Sequence, residues 1–134
     1  MTRTAMPLIA LLLAATAANA AEPMSAEAFE NYTEGKTLYY GTPGAPYGAE
    51  QYLSGRRVIW TFLDGECQEG VWYEQDGLIC FVYDTVPGGP QCWSFYATPD
   101  GMTALFENDP GATELIETEQ GHDPLLCPGP DVGV

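Results

Sequence analysis

The side chains of this 134-residue chain that could do chemistry are four cysteines, one histidine, an adjacent arginine pair and nineteen carboxylates. The cysteines, Cys67, Cys80, Cys92 and Cys127, contain no C-x-x-C pair. That spacing fits neither a thioredoxin-like redox motif nor a zinc ribbon. An even count instead predicts two disulfides in an oxidising compartment. Three pairings are possible. Cys80 and Cys92 flank the turn TVPGGP at matched positions, which favours a cross-strand bridge and leaves Cys67 to hold Cys127 in the tail CPGPDVGV. In the loop-entropy view the first bridge stabilises by about 3 kcal/mol and the second, longer one by about 4.

Hydrolytic chemistry finds little support. His122 lies in EQGHDP, a turn, and the three serines (Ser25, Ser54, Ser94) include no G-x-S-x-G elbow. A glycosidase needs two carboxyls at a set separation, but with nineteen acids some pair will meet any distance rule. The acidic loops ENDPGATE and DGECQE do not follow the EF-hand pattern. No metal or cofactor is expected. Arg56 and Arg57 are more telling, because cationic residues are so scarce. Neighbours on a strand point to opposite faces, so one guanidinium faces inward or across the sheet. It serves either as an anion anchor in a pocket or as the partner of a carboxylate such as Glu50, Glu69 or Glu74. Tyr39, Tyr40, Tyr47 and Tyr52 cluster just upstream of it, and the aromatics of YYGTPGAPYG are the best placed to be exposed for binding.

Charge and leader bound the partners. The formal net charge is −15, so phosphate backbones and anionic head groups are repelled and nucleic acid is excluded as a partner. Residues 1–20, MTRTAMPLIALLLAATAANA, have the layout of a secretory signal peptide: Arg3, an apolar run from Met6 to Ala15, and an A-x-A site ending at Ala20. Cleavage near Ala20 predicts a periplasmic or extracellular protein with no membrane insertion afterwards. Lys36, Arg56 and Arg57 are then its only Lys and Arg.

Residues 21–134 read as one mainly β domain. PMSAEAFENYTEG predicts a helix over about 25–34 with Ser25 as N-cap, Met24 and Phe29 as a hydrophobic staple, and Gly35 as the exit. Such a helix suits a sheet edge or a barrel mouth. From Lys36 the pattern turns to period two between glycine-rich turns. Strands are expected at 37–40, 50–53, 57–63, 70–74, 78–84, 91–97, 102–107 and 114–119, with GTPGAPYG as a loop. This is an antiparallel meander, closing into a barrel or sandwich-like curled sheet and followed by a disulfide-tied tail, 120–134. Placing Cys80 opposite Cys92, with a three-residue loop at EQDG, sets Trp72 opposite Ile79 and Gly70 opposite Phe81. One face then collects Trp72, Ile79, Phe81, Trp93 and Phe95 as core. Trp60 has no clear face, because a bulge near Asp64-Gly65 would switch it.

Gly70, Trp72, Tyr73, Asp76, Gly77, Cys80, Phe81, Cys92 and Trp93 form the pattern G-x-W-Y…DG…ICF…CW. In this the chain resembles small exported proteins of Gram-negative bacteria grouped as domains of unknown function. The resemblance implies a small secreted lipocalin-like or curled β-domain and implies no reaction. The expected function is a non-catalytic periplasmic binding or interaction module, for an unknown small molecule or envelope protein, contacting it through Tyr40, Tyr47, Tyr52, Arg56 and Arg57. The alternatives are a carboxylate-dependent hydrolase of envelope glycans and a purely structural envelope protein.

Overall fold

The computed structural model describes Met1 and residues 21–128; the leader (Met1 apart) and residues 129–134 of the tail lie outside the described residues. Eight strands follow one helix: α1 (Ala26–Thr33), β1 (Thr37–Thr42), β2 (Ala45–Tyr52), β3 (Arg57–Thr61), β4 (Gln68–Gln75), β5 (Leu78–Tyr83), β6 (Gln91–Thr98), β7 (Gly101–Phe106) and β8 (Glu114–Gly121). Each strand pairs antiparallel with the next, and β1 pairs with β8, so the meander is a closed barrel. Closure leaves no unpaired sheet edge.

The helix is built as its sequence predicts. Ser25 Oγ accepts from the Ala28 N–H at 3.1 Å, and Gly35 leaves the helix end at φ +81°. Its apolar payload is Phe29, wholly buried among Tyr52, Trp72, Phe81 and Phe95, with ring centroids 4.5 to 6.4 Å away. Burial of such a ring stabilises by roughly 1.5–3 kcal/mol. The Met24 N–H donates to the Phe95 carbonyl at 2.6 Å, and Tyr32 Oη donates to both oxygens of the Glu117 carboxylate at 3.0 and 2.8 Å. The helix therefore plugs one end of the barrel.

Two expectations need correction. GTPGAPYG is not a loop: Pro43-Gly44 alone makes the turn, and the flanking residues pair as β1 and β2. A proline followed by a residue at positive φ (Gly44, +82°) suffices for a type II turn, so Gly41, Pro46 and Gly48 continue the strands. Tyr40 and Tyr52 are accordingly buried, at 4% and 2% exposure. The EQDG turn also has two residues, not three. Asp76 and Gly77 adopt φ +54° and +80°, the type I′ requirement, and Gln75 pairs with Leu78. The register moves by two, setting Trp72 opposite Phe81 and Gly70 opposite Tyr83. A shift of two preserves faces, so Trp72, Ile79, Phe81 and Phe95 are core, with Trp93 packed against them. Trp60 joins them on the inside.

Both disulfides have the favoured pairing, Cys80–Cys92 and Cys67–Cys127. The tail runs back along the outside of the barrel to reach Cys67. Thr37 Oγ1 donates to the Asp123 carbonyl at 2.7 Å, and the Leu125 N–H to Gln51 Oε1 at 3.0 Å.

Candidate functional site

At the end opposite the helix the barrel is not filled. A cavity of ≈ 200 Å³ reaches inward between the β-strands, larger than the ~150 Å³ apolar cavity known to take up benzene in another protein. Outside it lies a vestibule of ≈ 360 Å³ framed by Pro87–Pro90 and Phe106, with Tyr47, Phe62, Gln91 and Trp93 shared by both spaces.

Local sequence shapes this space. Between Tyr40–Gly48 and Gly41–Pro46 the β1–β2 ladder slips, so Tyr47 is an extra residue in β2. Such a bulge re-aims a side chain, and Tyr47 here turns to the mouth, its ring 6.0 Å from Trp60 and 5.8 Å from Phe62. Trp60 and Phe62 meet edge-on at 5.3 Å, completing an aromatic rim. Gly48 lets the Trp60 indole in: a Cβ there would stand 2.3 Å from the ring. Gly70 does the same for Tyr83, whose ring would come within 2.9 Å of a Cβ, and Tyr83 stacks at 7° to Phe81.

The polar part of the lining is small. Glu50, 1% exposed, accepts from Tyr83 Oη at 3.0 and 3.2 Å. Beside it the hydroxyls of Tyr40 and Tyr52 share one hydrogen bond of 2.8 Å. Burial pushes the Glu50 carboxyl well above the usual carboxylate range, and the Tyr83 hydrogen bond only partly offsets this. Burial likewise pushes all three phenols up, so they remain neutral donors and acceptors. Among the described residues Glu50 is the one acid of the lining, and no Lys, Arg or His joins it.

The expected site residues therefore divide. Tyr40, Tyr47 and Tyr52 converge on the cavity. Arg56 lies at the helix end instead, with Nη2 3.2 Å from Glu30 Oε2 and its guanidinium 4.4 Å from the centre of the Trp72 ring. Its carboxylate partner is thus on the helix rather than among Glu50, Glu69 and Glu74. Arg57 is exposed and donates to the Ser54 carbonyl at 3.2 Å. His122 is outside the cavity too, with Nδ1 3.1 Å from the Gly35 carbonyl. Glu50, Trp60, Phe62 and Tyr83 were not singled out as a site from sequence. The signal that could have found Glu50 is a lone acid near the end of β2, two residues from Tyr52 and therefore on its face of the strand.

Comparison with family models, with curated proteins and with solved structures finds no match for this chain.

Proposed function

We propose that this chain is a non-catalytic binding protein of an exported compartment, taking up one small, largely apolar molecule through the open end of its barrel. The observation that carries this is the cavity itself: aromatic walls, a few convergent polar groups at depth, and one wide mouth, the usual anatomy of a small-molecule site. Two disulfides suit an oxidising, non-cytoplasmic location, and a leader cleaved near Ala20 with delivery to the periplasm goes with it. Exposed Arg57, Glu69, Glu114 and Glu119 on the strands suit a barrel surrounded by water, whereas a lipid-facing barrel carries an apolar outer band.

The other readings are less well supported. A paired-carboxylate glycosidase needs a second acid across the cleft, and Glu50 is the one acid that the described residues bring to the lining. A purely structural barrel has no need of an unfilled interior.

The three tryptophans supply an internal control. Trp60 and Trp93 line the cavity, while Trp72 packs against Phe29 at the plugged end. On titration with p-xylene, the indole N–H signals of Trp60 and Trp93 should shift in a two-dimensional NMR spectrum while that of Trp72 stays. Filling the cavity with Ala104→Phe should abolish the shifts. Unmoved signals, or equal movement of all three, would count against the cavity as the binding site.

A further inference from the structure

Glu50 is a buried acid that no cation among the described residues pairs. The one ion pair among the described residues, Arg56–Glu30, sits at the other end of the barrel. An ionised carboxylate offers about four acceptor positions, and among the described residues the one hydrogen-bond partner of Glu50 is the Tyr83 hydroxyl. Buried acids are ordinarily paired. Trp60, Tyr47, Phe62 and Trp93 line the same cavity as Glu50, and aromatic faces attract ammonium groups, tryptophan most strongly. A carboxylate among aromatic walls, with no competing positive charge, is complementary to an organic cation and repels organic anions. A strongly acidic surface favours the same choice of charge.

We infer that the occupant of the cavity is a small primary amine bearing one ring or a short alkyl body, its ammonium paired with Glu50 and its body against the aromatic rim. This rests on the cavity being a binding site and adds the charge of what it binds. In the empty protein burial favours the neutral carboxyl, so amine binding releases a proton from Glu50. The titratable groups around it are the phenols of Tyr40, Tyr52 and Tyr83, all pushed up and neutral at the pH values concerned, together with Tyr47. The Glu117 carboxylate is occupied by Tyr32, Gln120 and the Met102 N–H.

The test is calorimetric titration with 2-phenylethylamine, its neutral isostere 2-phenylethanol, and p-xylene. The amine should bind at least about tenfold more tightly than the alcohol, and Glu50→Gln should cut amine affinity by at least about tenfold while leaving alcohol and p-xylene nearly unchanged. Amine affinity in the wild type should rise with pH as long as the ligand stays protonated, because binding displaces the proton that burial favours on Glu50; alcohol affinity should stay flat. Equal binding of amine and alcohol, or a pH-independent amine affinity, would overturn the inference while p-xylene binding kept the cavity reading. If p-xylene also fails to bind, both fall. Should Glu50→Gln not fold, the wild-type ligand comparison and its pH profile still decide.

Discussion

At the scale of single residues, Glu50 ties stability to pH. Its carboxyl is raised by burial in the folded chain and sits near 4.3 when unfolded. Folding therefore favours the protonated form. Its contribution is fully present below the unfolded value and is lost as pH rises towards the raised folded value, each unit of difference being worth about 1.4 kcal/mol. Glu50→Gln keeps the shape and removes the titration. The variant should match wild type in acid and become the more stable of the two as pH rises above about 4, a divergence that urea denaturation at stepped pH would measure. A gap constant with pH would show that Glu50 does not titrate differently on folding. None of this was legible in the sequence, where Glu50 is one of nineteen acids and entered only as a partner for an arginine. Its environment comes from Tyr83, 33 residues away, and from a closure no local pattern specifies.

At the scale of elements, most of the molecule was legible. All eight strands were placed from alternation between turns, and the helix from its cap, staple and glycine exit, because these signals are local. The errors lay in the lengths of two turns and where a residue's role depends on a distant partner. Pro43-Gly44 takes only two of the residues in GTPGAPYG, and the bulge that turns Tyr47 to the mouth comes from the β1–β2 register. Tyr40, Tyr47 and Tyr52 cluster in the sequence, and they share the cavity for a reason other than the exposure expected of them. Gly48 offers a test of how tightly β2 sets the site. Its Cβ in Gly48→Ala would overlap the Trp60 indole, the backbone carbonyl of Thr61 lying 2.6 Å away on the same side. Trp60 should be expelled towards solvent, with red-shifted tryptophan emission, loss of p-xylene binding and a destabilisation of about 1–3 kcal/mol. Unchanged emission would mean that the strand yields instead.

At the scale of the whole molecule, the barrel needs only neighbour-to-neighbour pairing plus one long closure, β1 with β8, while the tail is held outside it. The two disulfides therefore do different work. Cys80–Cys92 staples a hairpin, whereas Cys67–Cys127 spans 60 residues and ties the tail to the loop between β3 and β4. Replacing Cys67 and Cys127 by serine should cost up to about 4 kcal/mol. Protease should then cut the tail beyond Asp123, while the near-ultraviolet spectrum of the aromatic core stays native. Loss of that spectrum would make the tail part of the core rather than a strap over it. The strap also gives Met24 and Cys127 unequal surroundings. The chain enters at the plugged end, where Met24 bonds to Phe95, but by Cys127 it has been carried back to the level of the mouth. A carrier protein or surface linkage joined ahead of Met24 would leave the opening facing outward, and the same cargo joined behind Cys127 would crowd it. For anyone immobilising this barrel as a sensor, the amino-terminal side is the handle to use.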